Sequence, residues 1–130
     1  MMPFLIYDYV NDHNQNEIKD WTSGLEKPQR GKLNEKLDKL ALYGDELHPE
    51  MLTGTGVPGI KKLRGRGNVQ LRPLLCNGPV NVKQEYTLLK GAKEVGNKWE
   101  PKGAPSTAKR NKEEVIKDPI KRRTKHERVL

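Results

Sequence analysis

Thiols are almost absent from this chain of 130 residues: Cys76 is its one cysteine, so no intrachain disulfide can form and no thiolate zinc cluster can assemble. Histidine is equally sparse, and His13, His48 and His126 stand at no ligand spacing, which argues against a metal centre. Aromatics make up 5%, and no apolar run reaches the roughly 18 residues that a membrane-spanning helix needs. The first residues lack the basic start and long apolar stretch of a secretion signal. Together these absences lead us to expect a cytoplasmic protein with one modest core, working without metal, membrane or small-molecule cofactor.

Charge is what the chain has in quantity. Charged residues account for 32% and apolar ones for only 33%, so part of the chain is expected to lie outside the core. The charge is also unevenly placed: residues 1–50 hold 6 Lys/Arg against 10 Asp/Glu, and residues 51–130 hold 19 against 7. The formal net charge of +8 therefore comes from the second part, as suits a face presented to a polyanion. Its densest stretch, residues 61–72, threads Lys61, Lys62, Arg64, Arg66 and Arg72 through what reads as strand, turn and strand. Clustered guanidinium and ammonium groups on an extended scaffold suit a phosphate backbone. The competing reading is a set of surface ion pairs with the acidic first part.

Periodicity orders the rest. Residues 4–10 form a short apolar run rich in aromatic and β-branched side chains, long enough for one strand. Ile18, Trp21 and Leu25 recur at helical spacing, and Gly24 and Pro28 end that helix. Leu33, Leu37, Leu40 and Ala41 mark the apolar stripe of a second helix over 28–43, closed at Gly44. Residues 45–59 read as a surface loop, and three strand-like runs follow at 60–64, 69–76 and 82–89, joined by turns at 65–68 and 77–79 as an antiparallel meander. Alternation along 69–76 sends Leu71 and Leu75 one way and Leu74 with Arg72 the other, which predicts Arg72 on a concave or solvent face. Residues 106–117 have helix-forming composition with little to bury, and 117–130 read as a mobile cationic tail. The fold expected is α+β: a small antiparallel or mixed sheet with two N-terminal helices on one face, the other face open for binding, a domain over 1–118 and a basic tail over 119–130.

Gly54-Thr55-Gly56-Val57-Pro58-Gly59 matches the dinucleotide fingerprint G-x-G-x-x-G letter for letter, but a strand follows it where a helix should, so it reads as a flexible loop. Tyr7, Tyr9 and Trp21 read as packing residues.

The element order, together with Lys62-Leu63-Arg64-Gly65, the strand at 69–72 and the segment Leu88-Leu89-Lys90-Gly91-Ala92-Lys93, resembles the RelE/ParE superfamily of bacterial and phage toxins, in particular its phage-derived RelE/HigB-like branch. The resemblance covers residues 3–118. It implies a type II toxin that binds the ribosome and cleaves mRNA by attack of a 2′ hydroxyl, neutralised by a small cognate antitoxin protein. Such chemistry needs a proton acceptor, a proton donor and stabilisation of the phosphorane, for which Lys62, Arg64, Arg72, Lys90 and Lys93 are the catalytic candidates. Lys61, Arg66, Tyr86, Lys98, Trp99, Arg122 and Arg123 are candidates for holding nucleic acid, Tyr86 and Trp99 by stacking on bases. The chain departs from the family at residues 77–81, Asn-Gly-Pro-Val-Asn, where members commonly carry a Tyr-Arg pair, and at Gln70, where a lysine can stand. Two alternatives therefore stay open: a non-catalytic protein of the same fold that binds nucleic acid or a host protein, and a ParE-like gyrase inhibitor.

Overall fold

The structure, a computed structural model, describes residues 3–64 and 70–130. It is α+β, with a mixed sheet and four α-helices among the described residues. β1 (Leu5–Tyr9) leads to α1 (Glu17–Ser23) and α2 (Lys27–Tyr43), then a 3₁₀ turn at Gly44–Leu47. β2 (Leu52–Gly54), β3 (Lys61–Leu63), β4 (Gln70–Leu71), β5 (Leu74–Asn77) and β6 (Glu85–Lys90) follow. The chain then forms β7 (Lys93–Val95), β8 (Lys98–Glu100), α3 (Ala104–Lys117), α4 (Pro119–Arg122) and β9 (Arg123–Lys125). The main sheet runs β2-β3-β5-β6-β1-β9, with β1 parallel to β6 and the other neighbours antiparallel. A smaller sheet runs β4-β7-β8.

Local chemistry explains the helices. The Asn16 side chain accepts from the Lys19 backbone N–H at 3.0 Å and so caps α1. In α2, Pro28 sits in the first turn and Gln29 reaches back to the Glu26 N–H. The stripe expected from spacing is the buried one: Leu33, Leu37, Leu40 and Ala41. They join Ile18 and Leu25 in a core against Leu52, Leu63, Leu75, Tyr86 and Leu88 of the sheet. Gly44 ends α2 with φ of +57°, directly beneath the Phe4 ring, where a side chain has no room.

Four expectations are corrected. The run 69–76 is not one strand. Pro73 lacks an N–H to donate, and at Arg72-Pro73 the chain passes from the small sheet, where Arg72 N–H bonds Ala92 O, to the large one, where Pro73 O accepts from Leu63 N–H. Residues 45–59 contain β2, an edge strand paired with β3, so the glycine fingerprint is the connection between two antiparallel strands. The second face of the sheet is covered: Ala104, Ala108 and Val115 of α3 bury themselves against Tyr9, Leu74, Cys76 and Leu89. The small residues let that helix approach closely, and Ile116 is exposed.

Nor do residues 119–130 lie outside the fold. β9 pairs antiparallel with β1, and beyond it His126 Nδ1 meets the buried Asp8 carboxylate at 2.8 Å. Asn34 donates to Val129 O at 2.9 Å, and Arg128 pairs with Asp38. The strand carries few apolar residues because it stabilises the fold through ladder hydrogen bonds and buried polar pairs, which hydropathy does not register. No helix among the described residues is long and apolar enough to cross a membrane.

Gly91 lies under α1, and a Cβ there would fall inside the Trp21 indole. Gly91→Ala is expected to lower stability by about 3 kcal/mol, read as a shift of the urea midpoint, because the indole is wedged between sheet and helix and has to move.

Candidate nucleic-acid interface

The α2 residues Lys32, Lys36 and Lys39 recur at i, i+4 and i+7, a cationic stripe one position before the apolar stripe of Leu33, Leu37 and Leu40. Burying the leucines therefore sets the lysines along the rim of the core, beside the sheet. There they line a cleft of about 780 Å³ with Glu35, Glu50, Met51, Arg64 and Arg72. Five cations face two carboxylates. The cations come from three separate stretches of chain: α2, the end of β3 and the crossing from β4 to β5.

Each is held differently. Arg64 is exposed, and its guanidinium donates to the carbonyls of Glu50 at 3.1 Å and Pro49 at 3.2 Å. Carbonyls orient the fork and leave its net charge in place. Lys32 and Lys39 are exposed, whereas Lys36 is half-buried. Burial, then the positive charges of Arg72 and Lys32, push the Lys36 amine down to about 8. At pH 7 roughly one such amine in ten is therefore unprotonated.

Arg72, expected on a concave or solvent face, lines the cleft but is only 5% exposed. Its Nε donates to Glu94 Oε1 at 2.9 Å, and the same oxygen accepts from Lys62 Nζ at 2.7 Å. Glu94 stands on β7, opposite Gln70 on one side and Trp99 on the other, and the Gln70 side chain also accepts from Arg72. The Lys62 ammonium lies 5.3 Å from the Trp99 ring centroid. Burial pushes the Glu94 carboxyl up, but the hydrogen bonds and charges of Lys62 and Arg72 outweigh it and hold the group below its ordinary value. The small sheet is thus a bracket that fixes Arg72 against the cleft.

The remaining candidates divide plainly. Arg64 and Arg72 line the cleft, and Lys62 adjoins it through Glu94. Lys61 pairs with Asp45 at 3.5 Å and Lys90 with Glu17 at 3.7 Å, neither in the cleft lining. Lys93 is half-buried on β7 opposite Leu71 and Glu100, and Lys98 is exposed on β8. Tyr86 is corrected as a base-stacking residue: it is 1% exposed, it packs on Phe4, and its hydroxyl donates to Asp45 at 2.6 Å. Trp99 is half-buried beneath Lys62. Arg122 bonds Asn11 O, and Arg123 is committed to Glu85 at 2.6 Å and to the Tyr7 ring at 3.9 Å; neither belongs to the cleft lining. Arg66 lies outside the described residues.

Lys32, Lys36 and Lys39 are the site residues that sequence reasoning missed. The signal was present in their spacing, but they belong to the net-acidic part of the chain, where lysines read as a solvated helix face.

No family model, characterised protein or solved structure matches this chain.

Because the folded state lowers the Glu94 carboxyl, its ion pairs stabilise the protein above the ordinary Glu value of 4.5 and are lost as pH falls through the lower folded value. Glu94→Gln is expected to cost about 2 kcal/mol at pH 7, and the gap from wild type should close in acid. Urea melts of both proteins at pH 7 and pH 3 measure it.

Proposed function

We propose that the cleft binds an RNA backbone and cleaves it by attack of a 2′ hydroxyl, in the manner of a RelE-type toxin acting on mRNA in the ribosome. The observation that carries this reading is the convergence of Lys32, Lys36, Lys39, Arg64 and Arg72 on one cleft, where burial and neighbouring charge lower the Lys36 amine to about 8. Exposed lysines at the rim fit phosphates either side of the scissile bond, and oriented guanidinium groups fit the charge that accumulates on the phosphorane. Lys36, mostly protonated at pH 7, donates to the departing 5′ oxygen, while Glu35 and Glu50 are the carboxylates in reach of a proton from the 2′ hydroxyl. The order of one strand, two helices and antiparallel strands, with basic groups at the sheet's end, supports the RelE-like arrangement. A cytoplasmic place of action and an antitoxin that covers the cleft with acidic groups follow from the same reading.

One observation favours a second reading. Of the catalytic candidates, Lys62, Arg72 and Lys90 all make ion pairs with carboxylates, which suits a protein that holds RNA without cutting it. The two readings part in one experiment. Wild type, Lys36→Ala and Arg64→Ala are added to a translating bacterial extract, and mRNA 5′ ends are mapped. Cleavage should fall at least 100-fold for Lys36→Ala and about 10-fold for Arg64→Ala. Intact messages and unimpaired translation at micromolar wild type would rule out the nuclease. Salt-dependent RNA binding in that case would identify the binding protein.

Protonated Lys36 is the working form, so the wild-type cleavage rate should decline as pH rises through about 8. Lys36→Arg, whose guanidinium stays charged, should show no such decline in its residual activity. A wild-type rate that keeps rising beyond pH 9 would remove Lys36 from the role of donor.

A further inference from the structure

Nucleophilic lysines require three things: an amine partly unprotonated at neutral pH, access for the reagent, and a means of seating the reagent's leaving group. Lys36 meets all three. Half-buried, it lines the cleft together with Lys32 on the preceding helical turn and Arg72 from the sheet, whose charges both act on its amine. Arg64, in the same cleft lining, is already oriented by its two carbonyl contacts. The surroundings that make the amine a poor cation are the ones that attract a small dianion.

We propose that Lys36 Nζ is a modification site for acyl phosphates, with the phosphoryl group seated between Lys32 and Arg64 and the acyl carbon beside the amine. The unprotonated nitrogen attacks the carbonyl carbon and an N–C bond forms. The C–O bond to phosphate breaks, the phosphate leaves with the proton that the amine gives up, and an amide remains. Nothing is oxidised or reduced.

The selectivity has a magnitude. An amine at about 8 instead of 10.5 is unprotonated roughly 300 times more often at pH 7. Lower basicity weakens a nucleophile, by roughly tenfold over that span if the thiol relation carries over, so a net advantage of at least about tenfold over an ordinary lysine remains. Lys32 and Lys39, exposed on the same helix, provide internal references. The amide would remove one positive charge from the cleft and flatten the salt dependence of RNA binding by about one charge. That consequence alone rests on the RNA reading; the acylation does not.

The test is to incubate the full chain at pH 7 with limiting acetyl phosphate and map acetylated lysines by peptide mass spectrometry over time. Lys36 should acquire the acetyl group at least about tenfold faster than Lys32 or Lys39. Inorganic phosphate should slow Lys36 selectively, and Arg64→Gln should reduce its advantage. Labelling of Lys36 no faster than those two references, or insensitivity of its rate to phosphate, would overturn the proposal. Selective labelling in a protein that neither binds nor cuts RNA would uphold it while removing the RNA reading.

Discussion

The cleft depends on one oxygen atom. Glu94 Oε1 lies between Lys62 Nζ and Arg72 Nε, and without it two cations would face each other at the edge of the core. Repulsion would then expel one of them, and Arg72, largely buried, would have to leave its pocket. With the carboxylate in place the guanidinium stays fixed, and its residual field acts on Lys36 across the cleft. A buried ion pair contributes little to stability for its own sake. Here it sets where a charge stands, which is the use such pairs serve best.

The second constraint is that both faces of the main sheet are covered, by α1 and α2 on one side and α3 on the other. A sheet so enclosed has no broad surface to offer a ligand. What remains is the end of the layers, where the rim of α2, the crossing from β4 to β5 and the end of β3 meet. The lysines of α2 gather there because the leucine stripe beside them, buried in the core, fixes their direction. Packing and function thus share one helix with adjacent stripes.

Legibility followed the physics of each element. Regular apolar spacing made β1, α1 and α2 readable, and Leu71, Leu74 and Leu75 fall on the faces that alternation assigned them. Pro73 was the mark of a broken strand, overlooked because the residues around it alternate so well. β9 left no trace in hydropathy, since its partners are a backbone ladder and a buried aspartate. At the site, Arg64 and Arg72 were found by charge density, but density along the chain says nothing of ion pairing across it. Glu94, 32 and 22 residues from its two partners, pairs with two cations of the cluster that charge density picked out. The lysines of α2 show the converse: a segment of net negative charge supplies the cations that matter.

The position of β1 carries a consequence for how the molecule comes into being. This first strand has no neighbour near it in sequence: it pairs with residues 85–88 on one side and 123–125 on the other. During synthesis it must wait, with one edge and the Asp8 carboxylate uncovered, until residues 123–126 have been made. Closing loops of that length slows folding, and an unpaired edge is a site for association with other chains. The sheet therefore closes late, in a step that brings residues 123–126 to β1, and the protein's most vulnerable interval is the one before that strand arrives.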